Sequence, residues 1–426
     1  MIHYIHKSRY IKSGNVRNPN LKEREICYAS HWDAWIYRYY SFLLNEKYNT
    51  WLSQNGLGSV ALAYRTNLKG KSNIHFACDV FQFIRSRQAA YVVIGDFKDF
   101  FPTIHHAYLK QQWQALLQMP RLPADMYAIF KNITRYSYVE LDDILAWYHQ
   151  KESKINYYAL NQKARILTKE EFRQLSRKSL FLEDGSPVKI KHKEPYQGIP
   201  QGSPISGVLA NIYMMDIDQR INQLVSQVKG IYRRYSDDFI IVLPEADKST
   251  VMDLWNHIKN ILNQKDCNGQ PLITLQDEKT QIYHVKVEQI QNQTREWLGR
   301  NDLPEKKIIE FLGFAFDGKC VTIRAKTIGR YYGRLYRKAR TIIRQNGRTR
   351  KGNRISFHVL YKNYSRKGAA RNNINQGNFI TYVQRARRVF PPTDRIDQST
   401  RNHMKKIHRL LRQIRRGSPQ GDNIQY

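Results

Sequence analysis

The sequence predicts an α+β fold, with an antiparallel sheet at its centre and helices around it. Three observations carry this. The apolar run Tyr91-Val-Val-Ile-Gly-Asp-Phe97 reads as a buried strand that ends before Pro102. Two further strand-like runs, Gly230-Ile-Tyr-Arg-Arg-Tyr235 and Phe239-Ile-Ile-Val-Leu243, are joined across Ser236-Asp-Asp238 as a hairpin. Helical spacing then marks the last quarter, where Met404, Ile407, Leu411 and Ile414 recur at three- and four-residue intervals beside Lys405, Lys406, Arg409 and Arg412.

At 426 residues and 41% hydrophobic, the chain is too long for one small module and too apolar to be disordered. Its 70 Lys+Arg against 36 Asp+Glu give a net charge of +34. Much of that excess lies in residues 321–426, which hold 27 basic residues and only Asp394, Asp397 and Asp422 as acids. A phosphate backbone is the expected partner for such a surface, with an anionic membrane as the alternative. No stretch approaches the ~20 apolar residues of a spanning helix. Met1 to Tyr10 lacks the apolar run of a signal peptide. A soluble cytoplasmic protein without membrane contact is therefore expected. Cys27, Cys78, Cys267 and Cys320 are isolated, so reduced thiols and no zinc site are expected.

The elements follow in chain order. Arg24 to Leu44, with His31, Trp32, Trp35, Tyr37, Tyr39 and Tyr40, is dense in aromatics at mixed spacing and reads as packing rather than base stacking. The first strand delivers Asp96 at its C-terminal end. Ninety-five residues then separate Phe101 from Gln197, with Tyr136, Tyr138, Trp147, Tyr157 and Tyr158 among helix-like stretches, and read as an insertion. Gln197 to Gly207 forms a tight loop, with Ser203 and Pro204 as cap and first turn of a helix running on through Val208 to Met215. Its backbone at Gly202 is open to close approach by a nucleotide or template base. Ile328 to Arg340 and Ser399 to Arg416 suit amphipathic helices, the second closed by Gly417. Between them, Arg348 to Arg371 reads as a loop that RNA would order.

Taken singly, an Asp-Asp hairpin turn and a helix-entry loop are ordinary features. If Asp96 lies on a strand beside Asp237 and Asp238, however, two like charges ~4 Å apart repel by about 4 kcal/mol at an effective dielectric of about 20. Hard divalent cations relieve that repulsion, and carboxylate oxygens select Mg²⁺ or Mn²⁺. Two such ions can activate an attacking 3′-hydroxyl and stabilise a leaving pyrophosphate.

In this order and spacing the passages resemble the reverse transcriptases. Asp96-Phe-Lys-Asp-Phe-Phe101 is similar to their first palm motif, Gln197 to Met215 to the second, and Tyr235-Ser-Asp-Asp238 to the third. Leu275-Gln-Asp-Glu-Lys-Thr280 resembles the lysine-bearing fourth motif and Phe311-Leu-Gly-Phe314 the primer grip. Upstream, Ala63-Tyr-Arg65 with Lys69, Lys71 and Phe76 to Ile84 resembles the fingers segment.

The resemblance implies a right-hand polymerase. Residues 1–90 would form the N-terminal region and fingers, 91–105 the first palm segment and 106–190 a fingers insertion. The remaining palm and primer grip would occupy 191–320, and a basic helical thumb 321–426. It implies Asp96, Asp237 and Asp238 as catalytic residues holding two Mg²⁺ ions, with Mn²⁺ as a substitute, and leaves Asp99 outside that set. Arg65, Phe101, Gln201, Gly202 and Lys279 are implied nucleotide-binding residues. Phe101 stacks under the sugar and excludes a 2′-hydroxyl, and Lys279 protonates pyrophosphate. Read without the resemblance, Arg65 and Lys279 are surface cations and Phe101 a core aromatic. Phe311, Leu312 and Gly313 are the implied primer grip, and Arg330, Arg334, Lys405, Lys406, Arg409 and Arg412 the nucleic-acid-binding residues.

The implied partners are an RNA template, a DNA product and dNTPs, with the oligomeric state open. Three acids in the last quarter are too few for an RNase H cluster. Val321-Thr-Ile323 stands where a retron enzyme carries Val-Thr-Gly, and a group II intron maturase region has no space. The nearest remaining resemblance is to the bacterial defence-associated, abortive-infection reverse transcriptases, whose template is a partner non-coding RNA. A retron-like or intron-like enzyme, or a catalytically idle RNA-binding scaffold, is the alternative.

Overall fold

The structure, a computed structural model, describes residues 1–9, 21–151, 167–177, 181–182, 185–193, 195–244, 247–266, 269–299, 307–345, 358–366 and 377–416. Strands β1 (Ile2–Arg9) and β2 (Leu21–Tyr28) pair antiparallel ahead of α1 (His31–Gln54) and α2 (Asn73–Arg85). After β3 (Ala89–Asp96) come α3 (His106–Leu117), α4 (Ala124–Thr134), β4 (Ser137–Glu140), α5 (Leu141–Lys151), α6 (Lys169–Ser176) and β5 (Lys191–His192). Helices α7 (Ser206–Tyr213) and α8 (Met215–Gln227) lead into the hairpin β6 (Ile231–Tyr235) and β7 (Asp238–Pro244). Then follow α9 (Lys248–Leu262), β8 (Gln281–Lys286), β9 (Gln289–Asn292), α10 (Thr294–Leu298) and the short strands β10 (Ile309–Phe311), β11 (Phe314–Phe316) and β12 (Val321–Ile323). The chain ends in α11 (Ala325–Arg344), α12 (His358–Tyr364), α13 (Phe379–Val389) and α14 (His403–Arg416).

The central sheet runs β6-β7-β3-β8-β9, antiparallel throughout. Side chains alternate across a strand, and here both faces are covered. Tyr91 and Val93 of β3 join Phe239, Ile241 and Leu243 of β7 in one core, beneath α1, α3, α4 and α7 to α9. Ala90 and Val92 join Ile240 and Val242 in a second core, against α2, β10 to β12 and α13. Burial on both faces explains why these strands read as unbroken apolar runs rather than as alternation.

Several expectations change. Ser203 does not cap α7; the helix begins at Ser206, whose hydroxyl donates to the Pro200 carbonyl at 2.7 Å while residues 201–205 turn. Arg24 to Tyr28 belongs to β2, and half of the aromatics of α1 do not pack inward. Tyr37 is buried, while Trp32, Trp35 and Tyr39 are 77%, 66% and 59% exposed. The aromatics sit on two opposite faces of the helix, and only one meets the core. The insertion folds with the N-terminus as a second sheet, β2-β1-β4-β5.

The proposed boundary at 320/321 falls inside the three-stranded sheet β10-β11-β12. The basic region is also built into the body: the Phe390 and Phe314 rings lie 4.7 Å apart, and Arg85 donates to the fully buried Asp394 carboxylate at 3.1 Å. Helices α11, α12 and α14 share a third core of Tyr331, Leu335, Leu360, Ile407 and Leu411. Helix α14 starts at His403, not Ser399, because residues 398–400 form a 3₁₀ turn. The stretch from Arg348 to Arg371, expected as a loop, holds α12 at His358–Tyr364, and its residues 348–357 and 367–371 lie outside the described residues, as do Tyr157, Tyr158, Cys267, Gly417 and the Ile414 side chain. Among the described residues no helix is long and apolar enough to cross a membrane.

Candidate active site

Strand β3 places Asp96 directly opposite Asp238, the first residue of β7. The Phe97 N–H donates to the Asp237 carbonyl at 3.0 Å, tying the strand end to the hairpin turn. The fourth motif arrives by backbone too: the Gln276 N–H donates to the Asp96 carbonyl at 2.8 Å, and the Lys98 N–H to the Thr274 carbonyl at 2.8 Å. A 3₁₀ turn, Asp277–Lys279, then points the Lys279 ammonium into an ion pair with the Asp96 carboxylate.

Like charges directly opposite one another destabilise a strand pair. The effect is visible at Asp238. Part of its side chain faces solvent, yet burial of the carboxyl, then the charges of Asp237 and Asp96, push it up to about 6 against the opposing pull of Lys279 and Arg324. Asp99 stands apart, exposed and in a left-handed turn at φ +46°, where its carbonyl accepts the Thr103 N–H.

Beside the carboxylates opens a cavity of about 690 Å³ lined by Arg65, Lys71, Phe101, Gln201, Gly202 and Tyr235, among others. The Phe101 ring is buried against Phe100, and its carbonyl accepts the Ile199 N–H at 3.0 Å, so first and second motifs are stitched together. Arg65 lines the cavity, but its guanidinium serves the chain itself, donating to the Ala61 and Gly58 carbonyls and to Asn49. Lys71 is the exposed cation on that wall. The Gln201 carbonyl accepts the Cys27 N–H at 2.8 Å, so β2 seats against the second-motif loop.

On the far side, Leu312 and Gly313 form the two-residue turn of the β10–β11 hairpin with φ of +46° and +91°, the left-handed pair such turns demand. The Leu312 carbonyl accepts from Asn73 at 2.9 Å, which also donates to the Tyr382 hydroxyl, while Phe311 is buried beneath. Arg330, Arg334, Lys405, Arg409 and Arg412 are exposed on α11 and α14. Lys406 is not: its ammonium lies 3.7 Å from the Tyr332 ring centre, so it covers core surface.

Sequence reasoning missed the support under the hairpin. Arg234 and Asp218 are fully buried and paired at 2.6 Å, the Tyr232 hydroxyl donates to Asp218, and Arg234 donates onward to the Ser236 carbonyl and to Asn211. Burial opposes the Arg234 charge, but Asp218 overrides it and holds the guanidinium above its ordinary value. In sequence these residues look like surface charges, and only the position of Arg234 on the strand before the Asp-Asp turn hinted otherwise; Asp218 lies on α8.

Three carboxylates stand at one end of an antiparallel sheet ringed by helices, the arrangement expected of a polymerase palm. The reverse transcriptase (RNA-dependent DNA polymerase) family matches residues 154–316, so the chain contains a domain of that family; Asp96 precedes the matched span. None of the curated proteins matches the chain. Among solved structures, the chain is similar to apo telomerase from Candida tropicalis truncated from its C-terminal domain, at 12% identity and TM-score 0.44, over 76% of this chain and 55% of that one. It is also similar to Candida tropicalis telomerase in complex with a TWJ fragment of telomeric RNA, at 14% identity and TM-score 0.43, over 98% and 55% of the two chains. The chain thus spans just over half the length of these structures.

Reverse transcriptases generally use divalent metal ions. Among the described residues no group of three His, Cys, Asp or Glu is already arranged around a metal position. The donor set nevertheless fits: Asp96, Asp237 and Asp238 supply hard oxygens, and the Lys279 ammonium already lies on Asp96 as a cationic counterpart.

Proposed function

We propose that the protein is an RNA-directed DNA polymerase that adds dNTPs to a 3′-hydroxyl by two-metal phosphoryl transfer. The observation that carries this is the Asp96–Asp238 register, which lies one hairpin turn from Tyr235 in the wall of a cavity lined also by Phe101, Gln201 and Gly202. Asp96, Asp237 and Asp238 would hold two Mg²⁺ or Mn²⁺ ions, which supply activation of the 3′-hydroxyl and charge relief for the pyrophosphate. Phe101 bears on the sugar of the incoming nucleotide and leaves no room for a 2′-hydroxyl. Gln201 and Gly202 meet the nucleotide and the templating base, and Lys71 takes the triphosphate charge that Arg65, bound to its own loop, supports from behind. Lys279 leaves Asp96 for the pyrophosphate and gives it a proton. The turn at Leu312 and Gly313 holds the primer end, and exposed arginines of α11 track the duplex.

The finer reading is a defence-associated, abortive-infection type of bacterial enzyme that copies a partner non-coding RNA in the cytoplasm. It is supported by the resemblance of the palm motifs and by the basic helices packed directly behind the primer-grip hairpin. The test is Mg²⁺-dependent dNTP incorporation on an RNA template by the wild type and by an Asp237→Ala, Asp238→Ala variant. Loss of incorporation with RNA binding retained is expected, and undiminished incorporation contradicts the assignment. Sequencing the RNA that copurifies with the protein tests the finer reading: a single non-coding species is expected, and bulk cellular RNA alone contradicts it.

A further inference from the structure

The loop between α1 and α2 reaches the catalytic turn through one side chain that the chemistry above does not use. We infer that Tyr64 is a positioning residue for the catalytic hairpin, its hydroxyl holding the turn that carries Asp237 and Asp238 while its ring walls the nucleotide cavity. This rests on the polymerase reading and deepens it.

The Tyr64 and Ser236 side-chain oxygens lie 3.2 Å apart. Both residues are left-handed, at φ +60° and +63°. Side chains larger than glycine hold that conformation only where their surroundings fix it, and here the surroundings do. The Leu62 N–H donates to the Arg234 carbonyl and the Arg234 N–H to the Val60 carbonyl, both at 2.8 Å, so the loop runs along β6. Asn211 donates to the Ala63 carbonyl at 2.8 Å, and Asn45 to the Tyr64 carbonyl at 2.9 Å. The ring then lies over Gly207, where a Cβ would stand 2.6 Å from the Tyr64 Cγ; only glycine admits it.

Ser236 is thereby held from two sides, at its carbonyl by the buried Arg234 and at its hydroxyl by Tyr64. Packing alone does not explain Tyr64, which is 47% exposed and lines the cavity. A nucleotide in the cavity meets the ring at one end of this link, and the other end is the turn that sets the carboxylates.

The test is steady-state dNTP incorporation on an RNA template with Mg²⁺, with thermal melts as the control for folding. Tyr64→Phe keeps the ring and Ser236→Ala keeps the turn length, and each removes only the hydroxyl pair. Each should lower kcat by about two- to tenfold, the range of one neutral hydrogen bond, with KM for dNTP unchanged. The double variant should be no slower than the slower single variant, because both remove the same bond. Tyr64→Ala, which also removes the wall, should raise KM. Single variants at wild-type kcat, effects that multiply in the double variant, or a change confined to KM overturn the role. A wild type that incorporates no dNTP overturns the polymerase reading itself and the inference with it.

Discussion

At Asp238 the folded protein raises the carboxyl from an ordinary value of 3.8 to about 6, through burial and then through Asp237 and Asp96. Folding therefore favours the protonated form. That contribution is fully present below about pH 4 and is lost as pH rises through about 6. Asp238→Asn should melt higher than the wild type at pH 7, and the gain should vanish below about pH 4. A gain that stays constant across that range contradicts a carboxyl raised by burial and by its two acidic neighbours. Phe101 carries a different expectation: trimming its ring to Ala opens space beside the sugar, so the ratio of rNTP to dNTP incorporation should rise by at least about tenfold. An unchanged ratio makes Phe101 core packing alone.

Among the elements, α14 shows how burial sorts a run of charges. Its Ile407, Leu410 and Leu411 face the third core, Lys406 lies across Tyr332, and Lys405, Arg409 and Arg412 remain outward. Replacing those three with Gln should leave the melt unchanged and flatten the plot of log affinity for RNA against log salt. The slope should fall by roughly two to three units if all three meet phosphates. A slope that does not change excludes this face as a nucleic-acid contact.

The strands that carry the carboxylates were legible because a strand buried on both faces leaves an unbroken apolar run, as at Tyr91 to Phe97. Phe311 to Gly313 was read only through the resemblance of Phe311-Leu-Gly-Phe314 to a primer grip; that Leu312 and Gly313 make a two-residue hairpin turn is a finding of the structure. The pairing of β1 with β4 was not, since it joins residues far apart in sequence through a four-residue strand. Nor was the outward face of α1, because aromatic density does not say which face of a helix meets the core. Arg234 and Asp218 escaped for a related reason: a charge pair inside a core has the same letters as one on a surface.

At the scale of the whole molecule, the three carboxylates and Lys279 come from three separate stretches of chain, and the first of these, with Asp96, lies outside the span matched by the family. The most direct measurement compares Asp96→Asn with Asp99→Asn in Mg²⁺-dependent primer extension on an RNA template, with melts to confirm that both fold. Asparagine keeps the shape of each residue, and only three positions separate them. Loss of a metal-holding carboxylate should cost Asp96→Asn about a thousandfold in rate, several kcal/mol of charge stabilisation. Asp99→Asn, exposed and tolerant of asparagine in its left-handed turn, should extend primers at the wild-type rate. Equal activity in the two variants would contradict the joining of β3 and the β6–β7 hairpin into one catalytic centre.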